Sequence, residues 1–187
     1  VRLFVAAELP PPVVAALTGW RPALDAVRPV APESLHLTLA FLGERSAAEA
    51  SAAAEVVRSV AAPVGQLALG AARWLPPRRP RVLAVEVEDG GGGLGALQAA
   101  VVAGLEEAIG FVPERRRFLA HVTVGRVRSG GGAAARAGSG SGGDLPAVPR
   151  GAPFALAALT LMRSRLGGQR PARYEPVERV ALSPFLR

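Results

Sequence analysis

Two stretches of this chain share one frame, "LHLTLAFLG" at residues 35 to 43 and "AHVTVGRVR" at residues 120 to 128. Between them they hold the only two histidines in the sequence, His36 and His121, 85 positions apart and each followed two positions later by a threonine. Side chains alternate along a strand, so His36 and Thr38 share one face while Leu35, Leu37 and Leu39 share the other. His121 and Thr123 stand in the same relation to Val122 and Val124. With the apolar faces turned to a core, each strand offers solvent an imidazole and a hydroxyl roughly 7 Å apart along the chain, twice the strand rise. Two strands of this kind, related by a duplication, can face one cleft.

The rest of the chain fits that duplication. "RLFVAA", residues 2 to 7, reads as a buried strand, and the prolines of "LPPPVVAALTGWRPALDAV" open a helix where missing amide hydrogens do no harm. "ESLHLTLAFLG" is the next strand. Ser46 and Glu49 then form a capping box for an Ala-rich helix running to about Ala62, and "QLALGAARWL" is a further strand. The pattern starts again at "RVLAVEVED", where Leu83, Val85 and Glu88 stand 80 positions after Leu3, Val5 and Glu8. A helix from Leu94 to Ile109 follows, then the second His-x-Thr strand. Each half reads strand, helix, strand, which predicts one domain of two duplicated halves, about 1–78 and 79–187. Residues 129 to 153, rich in Gly, Ser and Pro, break the symmetry and read as a flexible loop. "FALAALTLMRSRL" and "YEPVERVALSPF" read as two closing strands in a hairpin at the sheet edge.

Composition narrows the chemistry. With no cysteine among 187 residues, disulfides, thiolate zinc sites and cysteine nucleophiles are excluded. No apolar run approaches the roughly 20 residues needed to cross a bilayer, and "VRLFVAAELPPP" reads as a strand rather than a signal sequence; the expectation is a cytoplasmic protein. Net charge is +7 and all 22 basic residues are arginine. That fits either a composition biased towards Ala, Gly, Pro and Arg or an anionic partner, since the planar guanidinium fork grips phosphate.

A lone histidine among apolar neighbours is ordinarily a structural residue, but a matched pair with matched hydroxyls suits attack on a phosphodiester. One group must take a proton from the nucleophile and another must protonate the departing oxygen. Imidazole titrates near pH 6.5, so a neutral and a charged copy can coexist near neutrality. The threonines can donate to non-bridging oxygens and arginines can offset their charge. Zinc is disfavoured, because no carboxylate follows either histidine at a usual ligand spacing.

In order along the chain, "RLFVAAELP", "PESLHLTLAFLGE", "PPRRPRVLAVEV", "FLAHVTVGRVR" and "LTLMRSRLGGQRPARYEPV" resemble the bacterial and archaeal RNA 2′,3′-cyclic phosphodiesterases, also called 2′-5′ RNA ligase-like proteins, of the two-histidine phosphoesterase superfamily. The resemblance runs from Arg2 to about Leu182. It implies an α+β fold of two pseudo-symmetric lobes, with antiparallel sheets around a central, positively lined cleft. It implies hydrolysis without metal or other cofactor, with His36 as proton donor, His121 as acceptor, and Thr38 and Thr123 holding phosphate. Arg126 matches an arginine often found after the second motif, although its odd offset from His121 would turn it to the opposite face of an ideal strand. Ala120 stands where the family commonly has proline, which predicts a less rigid approach to His121.

The implied partner is RNA ending in a 2′,3′-cyclic phosphate, tRNA fragments included, opened by a monomeric enzyme to a 2′-phosphate, with weak reverse 2′-5′ ligation. Hydrolysis of 2′-5′ linked oligonucleotides or small cyclic nucleotides, and RNA-end binding without turnover, are the alternatives. Arg115 to Arg117 read either as a solvated loop or as a track for an RNA backbone. Tyr174 and Phe41 are candidates to stack a base, with internal packing the expectation for Phe41.

Overall fold

The computed structural model describes residues 1–21, 27–128, 145–167 and 170–182. Strands β1 (Arg2–Glu8), β2 (Val27–Pro29), β3 (His36–Glu44), β4 (Ala68–Leu75), β5 (Val82–Glu88), β6 (His121–Val127), β7 (Ala158–Gly167) and β8 (Arg170–Ala181) alternate with helices α1 (Pro11–Trp20), α2 (Ala47–Val60) and α3 (Gly93–Ile109). The architecture is α+β, with one antiparallel sheet in the order β4-β5-β6-β3-β1-β7-β8 and β2 added against β6. None of the described helices is long and apolar enough to cross a membrane.

The elements form for local reasons that the sequence displays. Prolines open α1 at its first turn. The Ser46 hydroxyl accepts from the Glu49 amide while the Glu49 carboxylate accepts from the Ser46 amide, closing the expected capping box on α2. Helix α3 ends on Gly110 in the left-handed conformation. Helices α2 and α3 pack together, and Gly104 makes this possible, since a Cβ there would stand 2.7 Å from Val56 Cγ1.

The sheet divides at its centre. Strands β3 and β6 meet through one residue pair, Leu37 with Val122, both fully buried. On one side lie β3, β1, β7 and β8, the first lobe; on the other lie β6, β5, β4 and β2, the second. The lobes do not follow chain order. Strand β4 sits beside β5, while β7 and β8 return to β1, so a cut near residue 78 would part the hydrogen-bonded neighbours β4 and β5. The closing pair is the expected hairpin, with β8 at the edge. Val27, read from sequence as the end of the first helix, instead opens β2 with Arg28 and Pro29, paired Val27 with Val127 and Arg28 with Arg126. Most of the expected flexible loop, 129–144, lies outside the described residues.

Strand β2 lies close over β6. A Cβ on Gly125 would stand 2.4 Å from Val27 Cγ1, so only glycine admits this contact. Gly125→Ala should therefore destabilise the protein by about 1–3 kcal/mol, the usual cost of overpacking. Combining it with Val27→Ala should recover most of the loss in a denaturant titration; no recovery would show that the backbone of β6, not the valine, limits the site.

Candidate active site

The site grows from the central pair. In the antiparallel register about Leu37 and Val122, His36 falls opposite Thr123 and His121 opposite Thr38, all on the face away from the core cluster that takes Leu35, Leu37, Leu39, Val122 and Val124. The four polar side chains are partly exposed. The structure thus brings together the two histidines and two threonines singled out in the sequence.

Each imidazole is held in the same way. His36 Nδ1 lies 2.8 Å from the Ser34 carbonyl oxygen, and His121 Nδ1 lies 2.8 Å from that of Leu119. A carbonyl only accepts, so both Nδ1 atoms carry hydrogen and donate, which leaves Nε2 free on each ring. The tight turn Pro32–Ser34 delivers the first carbonyl. On the second strand, Ala120 in place of proline leaves the approach fastened by the backbone, since its carbonyl accepts from the Val87 amide at 2.9 Å.

Arg126 joins them because β6 is not an ideal strand. Thr123 pairs with Ala84 but Gly125 pairs with Leu83, so Val124 is an extra residue and the register shifts. A bulge of one residue reverses the alternation beyond it, and Arg126, paired with Val82, returns to the face of His121 and Thr123. The same irregularity occurs on β3, where Thr38 pairs with Ala6 but Ala40 pairs with Val5. There it turns Phe41 to the cleft. Phe41 is 62% exposed, not packed internally as its apolar character predicted. The fifth residue after each histidine is thus a cation in one lobe and an aromatic ring in the other.

The neighbouring strands carry a matched pair of acids that sequence reading placed two residues out of register. Glu8 pairs with His36 and Ala6 with Thr38; Glu86 pairs with His121 and Ala84 with Thr123. The matching offset is 78, and the equivalent of Glu8 is Glu86, not Glu88. The repeated Ala-x-Glu of "AAE" and "AVE" was the available signal. Each acid is taken by an arginine further out in the sheet: Arg179 Nη2 lies 2.9 Å from Glu8 and Arg73 Nε lies 2.6 Å from Glu86. Burial would push the Glu8 carboxyl up, but hydrogen bonds from Arg179 and Thr160 outweigh it and hold it below the ordinary carboxylate value.

Aromatic rings wall the His36 side. Phe4 stacks on His36 with centroids 5.0 Å apart, and Tyr174 meets His36 edge-on at 5.4 Å. Burial lowers the His36 pKa from 6.5 to about 4, the Ser34 carbonyl opposes that shift, and the charges of Arg126 and His121 add to it. His36 is therefore neutral at pH 7. Arg115 to Arg117 are exposed just before β6. Among the described residues, no three His, Asp or Glu side chains converge as a metal site.

Residues 9–164 match the model of the 2'-5' RNA ligase superfamily. An RNA 2',3'-cyclic phosphodiesterase of Escherichia coli strain K12 is 31% identical over 186 residues, covering 97% of each chain. The crystal structure of E. coli LigT in apo form superposes with a TM-score of 0.78 at 28% identity, covering 98% of each chain. LigT complexed with 3'-AMP gives 0.73 at 29%, with the same coverage. This chain belongs to the 2'-5' RNA ligase superfamily.

The His36 environment fixes the sign of a pH effect on stability. The folded value lies below the unfolded one, so as pH falls from about 6.5 towards about 4 the unfolded chain takes a proton that the native state refuses. Stability conferred by the neutral ring is complete above 6.5 and is lost across that window, by on the order of 2–3 kcal/mol. His36→Asn, which can still donate to Ser34, should lack this slope. Parallel unfolding curves for the two proteins between pH 4 and 7 would contradict the assigned burial.

Proposed function

We propose that this chain hydrolyses 2′,3′-cyclic phosphodiester ends of RNA to 2′-phosphomonoesters, with weak reverse 2′-5′ ligation. The observation that carries this reading is the pair of imidazoles locked through Nδ1, each on the strand face it shares with Thr38 and Thr123 at the junction of two lobes. The E. coli relative named for this activity supports the substrate class. His121 Nε2 takes a proton from water, the water attacks phosphorus opposite the 3′ oxygen, and His36 Nε2 protonates that oxygen as its bond to phosphorus breaks. Thr38 and Thr123 donate to the non-bridging oxygens, and Arg126 offsets their charge. Exposed Phe41 offers a face to the terminal base, and Arg115 to Arg117 extend the basic surface towards the RNA chain. All these groups come from one chain, and in this reading the enzyme is a monomer. The compartment in this reading is the cytoplasm, with tRNA fragments among the RNA ends treated.

The acid role of His36 needs the substrate. Burial, and after it the Arg126 charge, disfavour the imidazolium; a bound phosphodiester anion offsets the Arg126 charge and raises the affinity of His36 for a proton. The alkaline limb, set by loss of the acid's proton, should therefore lie at higher pH in kcat than in kcat/KM. Coincident limbs would reject His36 as the acid.

His36→Ala and His121→Ala should each lower turnover of a cyclic-phosphate-ended oligonucleotide by about two to four orders of magnitude while the fold survives. His36→Ala should hurt a substrate with a good leaving group much less, since a stable leaving group needs no proton. His121→Ala should hurt both. A 3′-phosphate product, or equal leaving-group sensitivity, would overturn the roles; binding without turnover in the wild type would leave a binding module.

The mechanism draws acid, base and charge stabilisation from side chains alone. Dialysis against EDTA should leave the rate unchanged, and a loss restored by a divalent ion would show that a metal takes part.

A further inference from the structure

Tyr174 stands on β8, paired with Ser164 of β7, and none of the roles above uses it. Its ring meets Phe4 at 5.1 Å and 78° and His36 at 5.4 Å and 86°, both edge contacts. Its hydroxyl accepts from Arg126 Nη2 at 3.4 Å, a long bond, and Arg126 belongs to the other lobe. One side chain thus touches a histidine of the first lobe and an arginine of the second.

The imidazole of His36 is constrained on three sides. Ser34 fixes Nδ1, Phe4 covers one face at 29°, and Tyr174 stands against it edge-on. We infer that Tyr174 is a positioning residue for this reaction: its ring holds the His36 imidazole with Nε2 towards the cleft, and its hydroxyl holds the Arg126 guanidinium at the same phosphate position. The inference rests on the roles proposed for His36 and Arg126. It predicts two separable losses, because the ring serves the acid and the hydroxyl serves the phosphate ligand.

Tyr174→Phe keeps the ring and removes the hydroxyl; Tyr174→Leu removes both edge contacts. Three measurements are made on each: thermal unfolding, kcat and KM on a cyclic-phosphate-ended oligonucleotide, and an NMR titration of the His36 ring without substrate. Charged and titratable groups around that ring are Arg126 and His121, Tyr174 itself, and Glu8, its register partner, bound to Arg179 and Thr160. Tyr174→Phe should raise KM about three- to tenfold with kcat within about twofold, and leave the His36 titration unmoved. Tyr174→Leu should lower kcat about 10- to 100-fold, the scale of a small misplacement of a reacting group, and move the His36 titration from about 4 towards 6.5 as water reaches the ring.

Unchanged kinetic constants with a lowered Tm would overturn the inference and leave Tyr174 a packing residue. Where Tyr174→Leu fails to fold, the KM-against-kcat split in Tyr174→Phe decides alone. Should the wild type fail to open cyclic ends, the proposed function falls, while the His36 titrations still test the clamp.

Discussion

The site depends on one contact, the pairing of Leu37 with Val122. These two fully buried side chains join two halves of a sheet that otherwise touch little along this seam, and in doing so they set two polar strand faces side by side. Because side chains alternate with period two, a slip of one residue in either strand would drive its histidine into the core and expose a row of leucines or valines. The hydrophobic effect thus fixes the register, and the register fixes the histidines. Nothing in the catalytic chemistry need hold the strands together, which leaves the polar groups free for a substrate.

A symmetric scaffold would perform a symmetric task, whereas opening a cyclic phosphate needs an acid on one side and a base on the other. The asymmetry enters at two places. The bulges at Leu39 and Val124 are alike, but they turn Phe41 into the cleft in one lobe and Arg126 in the other. The return of β7 and β8 to the first lobe then brings Tyr174 against His36, so that aromatic rings wall that imidazole on two sides. Equivalent backbones acquire different electrostatics because the residues laid over them differ.

The sequence made legible whatever depends on alternation and local capping. The faces of His36, Thr38, His121 and Thr123 follow from period two, and the Ser46–Glu49 box follows from two residues three apart. What it concealed depends on long-range partners. A bulge carries no signature of its own, so the offset of Arg126 argued for the wrong face and the apolar character of Phe41 argued for burial. Val27 to Pro29 became a strand because β6 offers them an edge, which propensity cannot foresee. The equivalence of Glu8 with Glu86 was misplaced by two residues because apolar strands match equally well at either spacing; only the pairing with each histidine decides.

That equivalence bears on why the cleft can hold an anion at all. A carboxylate lies one strand from each histidine, where a free charge would repel phosphate and favour permanent protonation of the ring. In both lobes an arginine from the outer strands draws the carboxylate sideways, Arg179 from β8 and Arg73 from β4. Both arginines are about half exposed, and ion pairs of that kind contribute little to stability. Their contribution is local: each pairs off a negative charge on the cleft face one strand from a histidine. In the proposed mechanism a phosphate bound there would supply a negative charge beside His36 and favour the proton that an acid has to deliver.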